Sequence, residues 1–470
     1  MRDKALFLGD CALLHLFEFN GARIALDVNS GTVHLLDEVA WELLSDYGRL
    51  SEEDLIGKYG TKYGTGQIME ALAEIRELKE KGLLFAPDPG YEGYDAPGGA
   101  VKALCLNLAH SCNLRCRYCF AGGGRFGGND ELMPAETGRK AVDFLIARSG
   151  GRRRLEIDFF GGEPLLNFQA LKEVVGYGLT RGREEGKEFS FTVTTNAVLL
   201  DRDVICYLKE NGISVVLSLD GRREIHDAMR PFPGGRGSYD AVLSGIRSYM
   251  DSRCASPPQP GASYSYIRGT YTRRNLEFCA DVLHLAGLGF KDISLEPVIA
   301  PAEADYSIRE GDLPLLFAQY ERLALELLRR RKEGEPLNFF HFNIDLDGGP
   351  CLPKRLSGCG AGHEYMAVAP NGDLYPCHQF VGREGYLMGN IRDGFVDENI
   401  VALFRRAHVY NKEGCPGCWA KFYCSGGCHA NAEMYNGSIL KPQGWGCELI
   451  KKRLECAIYL KAAEHQGKSV

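Results

Sequence analysis

The sequence predicts an α/β protein whose central part is a partial (β/α)6 barrel. Between residues 101 and 333, six runs typical of strands alternate with helical patterns, and such alternation indicates a parallel sheet. Residues 1–85 have the pattern of a small sheet followed by three helices. Residues 334–470 contain short elements, many glycines and eight clustered cysteines. A fold of this last kind is expected to depend on metal ligation.

The N-terminal unit, residues 1–85, is predicted to be winged-helix-like. The stretch ARIALDVNSGTVHLLDE contains two strand-like runs around NSG, whose residues tolerate a positive φ. In the third helical pattern that follows, one apolar stripe recurs at spacings of three and four, at Ile68, Leu72, Ile75 and Leu78. Residues 86–100 are rich in Gly and Pro and are predicted to be a linker.

The barrel, residues 101–333, is predicted to carry the chemistry at one edge. Its strand-like runs are ALCLNLA, LEIDFFGG, FSFTVTTN, SVVLSLDG, SYSYIRGTY and DISLEPVI. In such barrels the reacting groups lie at the carboxyl ends of the strands. A cysteine triplet and the motifs GGEP, TTN and SLDG all follow or end strands. We therefore expect the site at this edge.

Composition and charge exclude several classes of protein. The chain has 470 residues, of which 45% are apolar, and a formal net charge of −7. This balance argues against sequence-independent nucleic-acid binding, which needs a basic surface. No apolar run approaches the roughly 20 residues that span a bilayer, and the start shows no signal-peptide pattern. We expect a cytoplasmic protein with no nucleic-acid or membrane partner.

The cysteine triplet has the spacing C-x3-C-x2-C and is followed by Phe120. If its three thiolates ligate a [4Fe–4S] cluster, one iron has no protein ligand. Such an iron can bind a small molecule through its amine and carboxylate. The alternatives are a zinc site completed by His110, or three buried cysteines. The triplet consists of Cys112, Cys116 and Cys119.

This triplet, placed after the first strand of a six-unit partial barrel, resembles the signature of the radical S-adenosylmethionine (SAM) superfamily. The resemblance implies a cluster whose open iron chelates SAM. GGEP resembles the family motif that meets the methionine amine of SAM, and Asn196, Ser218 and Arg230 resemble residues that hold its polar groups. For Ser218 and Arg230 a structural role is the alternative. The motif residues are Gly161, Gly162, Glu163 and Pro164.

The C-terminal cysteines resemble those of the SPASM domain, which houses two auxiliary [4Fe–4S] clusters. The resemblance assigns Cys359, Cys377 and Cys428 to the first cluster. Cys351 either supplies its fourth ligand or is a bystander, which would leave an iron open for a substrate thiolate. A pair of zinc ribbons is the alternative fold. The second cluster is assigned Cys415, Cys418, Cys424 and Cys447.

The N-terminal unit resembles the peptide-recognition elements of enzymes that modify ribosomal peptides. Those elements add a leader peptide to their sheet as an extra strand. A structural cap and a nucleic-acid-binding wing are the alternatives.

The strings at 24–38, 349–368 and 372–382 resemble the maturases of six-cysteine (SCIFF) peptides. This resemblance implies a thioether between a cysteine sulfur and a carbon of a threonine, formed through a 5′-deoxyadenosyl radical in a cysteine-rich precursor with a leader. A flavodoxin or ferredoxin is the expected electron donor.

Two rival functions stay open. An anaerobic sulfatase maturase oxidises a cysteine or serine to formylglycine, and it shares the barrel and the auxiliary clusters. That family carries an aspartate base after the YPC cysteine, whereas this chain has His378 in YPCHQF. Whether His378 acts as a base is open, and a structural role is an equal alternative. The second rival is a non-catalytic iron–sulfur electron carrier.

Overall fold

The computed structural model describes residues 4–8, 12–91, 93–94, 99–252, 264–346 and 351–467. Residues 92 and 95–98 of the predicted linker therefore lie outside the described residues. Within these ranges the strands form two sheets. One has four strands and belongs to the N-terminal unit, and the other has eleven strands that run from the barrel into the C-terminal region.

The N-terminal module is an antiparallel sheet followed by three helices. Two strands surround the NSG turn as predicted, and two earlier strands join them in the order β1-β2-β3-β4. Asp37 and Ser51 cap the first two helices through their side chains. The winged-helix-like assignment stays a prediction. The elements are β1 Lys4–Leu8, β2 Ala12–Phe19, β3 Ala22–Asp27, β4 Val33–Leu36, α1 Glu38–Asp46, α2 Glu52–Tyr63 and α3 Thr65–Glu80.

The six predicted β/α units of the barrel are confirmed. Strands β5 to β10 are parallel, and each pairs with the next along the chain. The strands are β5 Ala103–Ala109, β6 Arg154–Gly161, β7 Glu188–Thr195, β8 Ser214–Ser218, β9 Ser265–Tyr271 and β10 Asp292–Pro297. The helices are α4 Ala135–Arg148, α5 Phe168–Glu185, α6 Arg202–Glu210, α7 Arg223–Met229, α8 Tyr239–Asp251, α9 Phe278–Gly287 and α10 Leu313–Lys332.

Successive side chains along the barrel strands point alternately to the hydrophobic core under the helices and to the lumen of the barrel. Leu104, Ile157 and Val193 point to the helices and are buried in the main core. Residues at the alternate positions face the lumen, since successive side chains of a strand point to opposite faces. Polar side chains can therefore line the lumen without entering the core.

The sheet is extended at both edges of the barrel. At one edge β11 Asn338–Phe339 pairs with β10, and at the other β12 Tyr365–Val368 pairs in parallel with β5. β12 then leads into an antiparallel ribbon of β13 Asp373–Tyr375, β14 Gly389–Asn390 and β15 Phe395–Val396. The C-terminal region thus continues the barrel sheet instead of forming a separate layer.

The C-terminal region also contains five helices. The last of them contradicts the expectation of short elements, because it is long. Its apolar residues lie on several sides, and it packs on α10, β2 and β4. A helix that is packed on several sides does not show a single apolar stripe in its sequence. The helices are α11 Leu352–Ser357, α12 Glu398–Arg406, α13 Lys421–Cys424, α14 His429–Asn436 and α15 Gly444–Gly467.

None of the helices in the described ranges is long and apolar enough to cross a bilayer.

A buried polar contact joins the N-terminal module to the C-terminal region. The His15 ring stacks on the Trp419 ring, with centroids 3.7 Å apart and planes at 5°. His15 Nε2 lies 3.0 Å from Glu455 Oε1, and Lys452 Nζ donates to the other oxygen of Glu455 at 2.9 Å. Burial raises the pKa of Glu455, but His15 and Lys452 outweigh it and hold the pKa below its usual value.

We expect His15→Leu to lower the free energy of unfolding by about 1–3 kcal/mol, since a buried hydrogen bond to a charged group is lost with the ring stacking. The midpoint of urea unfolding, followed by circular dichroism, measures the change. His34→Leu is the matched control, because His34 contacts the Leu83 carbonyl of its own module. Equal midpoints for the two variants would show that the interface contributes nothing.

Candidate active site and cysteine centres

A cavity opens at the carboxyl ends of the barrel strands, where the sequence places the site. Every barrel strand or the loop after it contributes to the lining. His378 and Gln379 of the C-terminal region close one side. The predicted residues that line the cavity are Cys112, Cys116, Cys119, Gly161, Gly162, Asn196, Ser218 and Arg230.

The cysteine loop is held by backbone contacts to two other strand ends. Gly162 N donates to Ala109 O at 2.7 Å, and Glu163 N donates to Ser111 O at 2.9 Å. A Cβ on Gly162 would lie 2.1 Å from Ser111 O, so only glycine permits this approach. The glycines of GGEP therefore have a physical role, because they let the second strand end pack directly against the cysteine loop.

The three thiols of the triplet are partly exposed neighbours. Burial, followed by the charges of Glu163 and Cys119, raises the pKa of Cys112 to about 11. Burial also raises the pKa of Cys116 to about 12, and the other two cysteines add to the shift. Thiols in this state bind a cation by losing their protons, because a coordinated metal deprotonates a thiol outright. Three such sulfurs at one cavity wall suit a soft, thiophilic centre.

Glu163 lies behind the cavity lining. It is 1% exposed, and its carboxylate accepts from Thr195 Oγ1 at 2.8 Å, Asn196 N at 2.8 Å and Leu165 N at 3.1 Å. Burial raises its pKa to about 6. These bonds fix the turn that carries Asn196, whose Nδ2 lies 3.8 Å from Cys112 Sγ. Pro164 begins the short helical turn after Glu163. Direct contact between Glu163 and SAM stays a prediction.

Arg230 belongs to a buried polar network in the cavity wall. Its Nη1 donates to Tyr118 Oη at 2.9 Å and to Asp220 Oδ1 at 3.3 Å. Tyr118 Oη donates to Asp220 Oδ2 at 2.6 Å. In the described part of the chain, the buried Nε of Arg230 has no hydrogen-bond partner. Arg230 also lines the cavity, where a guanidinium fits the carboxylate of an amino-acid ligand such as SAM.

Tyr118 and Asp220 were missed from the sequence. Tyr118 lies inside the cysteine triplet, where only the cysteines were assigned a role. Asp220 lies in SLDG, where only Ser218 was assigned one. Their contact depends on the closeness of two loops 102 residues apart. The short spacing of Asp220 and Arg230 is the only available signal, and such pairs are common.

His378 faces the cavity between aromatic rings. Its ring centroid lies 4.8 Å from that of Phe160 and 5.8 Å from that of Phe120, and Nδ1 lies 3.1 Å from Tyr365 Oη. Burial lowers its pKa to about 4. The imidazole is therefore neutral near neutral pH and holds a proton poorly, which favours a positioning role over that of a base.

Arg268 and Glu296 form an ion pair on the opposite wall. Arg268 Nη2 donates to Glu296 Oε2 at 2.9 Å, and both side chains line the cavity. Burial raises the pKa of Glu296, but Arg268 outweighs it and brings the pKa to about 2. No motif in the sequence indicates this pair. It supplies a fixed charged surface for a polar substrate backbone.

Asp158 is a half-buried carboxyl in the barrel lumen, and we predict that it destabilises the fold at neutral pH. Burial, followed by Glu156, raises its pKa to about 6. The folded state therefore binds more protons than the unfolded state between about pH 4 and 6, and stability falls as the pH rises through this window. Asp158→Asn should raise the free energy of unfolding by about 1–3 kcal/mol at pH 7.5.

Thermal unfolding of wild type and Asp158→Asn at pH 5 and pH 7.5 measures this effect. The difference between the two proteins should be larger at pH 7.5. Asp393→Asn, an exposed carboxyl, is the control and should show no such difference. If Asp158→Asn stabilised the protein equally at both pH values, the charge of Asp158 would not be the cause.

The C-terminal cysteines fall into two interacting groups. Burial raises the pKa of Cys377 to about 12, and Cys428 and Cys359 add to it. These three cysteines are called the first auxiliary group. Burial likewise raises the pKa of Cys415 to about 12, with contributions from its neighbours. The second auxiliary group consists of Cys415, Cys418, Cys424 and Cys447.

Cys351 is exposed and directly precedes α11. The interactions that shift the pKa of Cys377 involve Cys428 and Cys359, which leaves the place of Cys351 in the first auxiliary group a prediction. Four soft sulfurs in the second group and three in the first fit a closed and an open iron–sulfur cluster. The first group also adjoins the cavity, because Gln379 Nε2 lies 3.9 Å from Cys428 Sγ.

Family models match both cysteine regions. The model of the radical SAM superfamily matches residues 106–255, and the model of the SPASM iron–sulfur cluster-binding domain matches residues 359–419. These ranges contain the triplet, the cavity motifs to Arg230, and four of the auxiliary cysteines, Cys359, Cys377, Cys415 and Cys418.

Relatives and solved structures agree with these matches. The serine-type anaerobic sulfatase-maturating enzyme of Klebsiella aerogenes is 26% identical over 71% of this chain and 81% of its own length. The mycofactocin maturase MftC of Mycolicibacterium smegmatis is 25% identical over 77% of this chain and 86% of its own length.

The structure of Streptococcus suis SuiB bound to precursor peptide SuiA has the same fold. It aligns with a TM-score of 0.52 and 16% identity over 95% of this chain and 100% of that chain. Together with the cysteine-lined cavity, these matches show that the chain contains a radical SAM domain and a SPASM domain, whose cofactors are [4Fe–4S] clusters and S-adenosylmethionine.

Proposed function

We propose that the enzyme installs an intramolecular thioether between a cysteine sulfur and a carbon of an acceptor residue, threonine, in a ribosomally made cysteine-rich precursor peptide. One observation carries the proposal. The first auxiliary group has three interacting cysteines and adjoins the cavity that the cysteine triplet lines. A substrate thiolate can therefore occupy the open position of this group while the acceptor carbon faces the SAM site.

The proposed reaction removes two hydrogen atoms from the peptide. Bound SAM and its cluster supply a 5′-deoxyadenosyl radical, which takes one hydrogen atom from the acceptor carbon. The substrate thiol loses a proton to solvent, its sulfur joins the carbon, and one electron leaves. The clusters proposed for the two auxiliary cysteine groups would accept this electron, and the first group adjoins the cavity. In this scheme a flavodoxin or ferredoxin supplies the electron that starts the reaction.

Residues of the chain position the reactants and exclude water. Arg230 is proposed to bind the SAM carboxylate, and Cys112, Cys116 and Cys119 to ligate its cluster. Phe120 and Phe160 flank the neutral His378 and form an apolar wall, which keeps stray hydrogen donors away from the reacting carbon. Arg268 and Glu296 can bind the polar backbone of the peptide.

The N-terminal module is proposed to bind the leader of the precursor. Its antiparallel sheet can accept a peptide as an additional strand, so that backbone hydrogen bonds provide affinity. SuiB, which shares the fold over 95% of this chain, has been solved with its precursor peptide SuiA, and this supports a precursor peptide as the ligand. The name of the mycofactocin relative, a maturase, agrees with a precursor as substrate.

Oxidation of a cysteine or serine to formylglycine is the second candidate. It is favoured by the 26% identity to a sulfatase-maturating enzyme. Two observations weigh against it. His378 stands where that family has an aspartate base, and burial lowers its pKa to about 4, so it accepts a proton poorly.

Mass spectrometry of a modified peptide tests the proposal. The enzyme is loaded anaerobically with iron and sulfide and given SAM, dithionite and the synthetic product of a short cysteine-rich reading frame beside its gene. We expect the loss of two hydrogen atoms per bridge, and one thiol fewer per bridge that reacts with iodoacetamide. The same peptide without its leader should be modified far more slowly.

The alkylation step separates the two candidates, since serine oxidation also removes two hydrogen atoms. Formylglycine made from serine leaves the cysteines free to react, whereas formylglycine made from cysteine exchanges the sulfur for oxygen and so changes the mass by more than two hydrogen atoms. Either product adds an aldehyde that a hydrazide traps. Aldehyde in a sulfatase-derived peptide, with the cysteine-rich peptide unchanged, would overturn thioether formation. Failure to produce 5′-deoxyadenosine with any peptide would instead favour an electron carrier.

A further inference from the structure

Lys412 is a buried lysine between the two auxiliary cysteine groups. The residue is 1% exposed, and its Nζ donates to Gly426 O at 2.8 Å and Gly427 O at 3.4 Å. Both glycines belong to the segment that joins Cys424 of the second group to Cys428 of the first. The ammonium therefore contacts the short segment that connects the two groups.

The segment is shaped around this side chain. Gly426 has a φ of +79°, and a Cβ there would lie 2.8 Å from Cδ of Lys412 and 3.2 Å from its Nζ. The positive φ favours glycine, and the close approach shows that the segment packs directly on the lysine side chain. Such a fitted contact indicates that the position of the ammonium is fixed.

The charges around Lys412 come from both groups. Burial lowers its pKa, whereas Cys415 and Cys424 of the second group and Cys428 and Cys359 of the first raise it. In the described part of the chain, no salt bridge to a carboxylate accompanies this lysine. Lys421 shows the usual arrangement, because this equally buried lysine of the same domain pairs with Asp88 at 2.5 Å.

A buried ammonium without a carboxylate is costly unless another anion lies nearby. Clusters ligated by cysteine thiolates carry negative charge, and they would occupy the two groups on either side of Lys412. We propose that Lys412 is a counter-ion shared by the two auxiliary clusters, and that it raises the reduction potential of both. This inference rests on the cluster ligation that is part of the proposed function.

The physical reason is the sign of the charge. A fixed positive charge in a medium of low dielectric favours the state of a cluster that holds one more electron. Both auxiliary clusters then accept an electron from the substrate more readily. Removing the charge should make both reduction potentials more negative.

Redox titration of Lys412→Gln, monitored by electron paramagnetic resonance, tests the proposal. Glutamine keeps a donor for the glycine carbonyls and removes the charge. We expect more negative midpoint potentials for both auxiliary clusters, and an unchanged potential for the cluster at Cys112, Cys116 and Cys119, which serves as internal reference. Lys441→Gln is the matched control, because Lys441 is an exposed lysine of the same domain, 3.7 Å from Glu413. It should leave all potentials unchanged.

Full iron content with unchanged potentials in Lys412→Gln would overturn the proposal, and so would a shift confined to one auxiliary cluster. If Lys412→Gln does not retain iron, normal iron in Lys412→Arg supports the role of the charge. Equal loss of iron in Lys412→Gln and Lys412→Arg would overturn the proposal, because the shape of the side chain and not its charge would then retain the clusters. These readouts do not depend on peptide modification, so the failure of thioether formation would be seen separately.

Discussion

Cys116→Ala is expected to abolish cleavage of SAM while the two auxiliary clusters remain. Cys116 is the middle, partly exposed cysteine of the triplet, and its partial burial raises the pKa of its thiol to about 12. A cluster centre that loses one of three protein ligands is not expected to persist. Iron and sulfide should fall by about a third, since one of three proposed clusters is lost. Formation of 5′-deoxyadenosine, measured by chromatography, should fall to the background level.

Cys206→Ala is the control for this variant, because Cys206 lies on α6 and belongs to none of the three cysteine groups. It should retain the iron content and SAM cleavage of the wild type. If Cys116→Ala still made 5′-deoxyadenosine, the triplet would not be the SAM-binding centre. If it lost all its iron, the three centres would not be independent.

Arg230→Met is expected to weaken SAM binding by about 10–100-fold, which corresponds to the loss of a hydrogen bond between charged groups of about 1.5–3 kcal/mol. The cause is the charged guanidinium that Arg230 contributes to the cavity lining. Isothermal titration calorimetry under anaerobic conditions measures the dissociation constant. The variant should also be less stable by about 3–5 kcal/mol, because Asp220 is left buried without its partner.

The double variant Arg230→Met with Asp220→Asn separates binding from stability. It removes both charges, so we expect much of the lost stability to return, whereas SAM binding should stay weak. Wild-type affinity for SAM in the double variant would show that Arg230 only balances Asp220. The structural alternative for Arg230 would then be correct.

Much of the fold could be predicted because its signals are local. The six strands of the barrel alternate with helices, and the motifs of the cavity end those strands or directly follow them. The apolar stripe at Ile68, Leu72 and Ile75 also marks a helix whose residues are buried. Each of these features depends on neighbours within one or two elements, so the sequence pattern displays it directly.

Features that depend on distant contacts could not be predicted. β12 has four residues and joins the barrel sheet only because β5 offers it a free edge. The His15 ring stacks on Trp419, 404 residues further along the chain. In the cavity wall, Arg268 and Glu296 lie on neighbouring strands, and neither belongs to a motif. Such pairs are defined by the packing of whole elements, which no local pattern records.

The site could be predicted only in part, because some of its features are local in the sequence and others depend on distant contacts. The cysteine groups follow spacings that a sequence shows, and the structure brings the triplet together at the cavity. Glu163 is different, since its three accepted hydrogen bonds place its carboxylate behind the lining. A motif therefore indicates where a residue lies along the chain, but the direction of its side chain depends on the donors that surround it.

Transfer of deuterium from the peptide to 5′-deoxyadenosine tests the central claim most directly. The precursor is synthesised with fully deuterated threonine and incubated anaerobically with the loaded enzyme, SAM and dithionite. We expect one deuterium in 5′-deoxyadenosine for each bridge formed, and a matching loss from the threonine of the product. Formation of 5′-deoxyadenosine without deuterium, in a reaction that modifies the peptide, would contradict hydrogen abstraction from threonine.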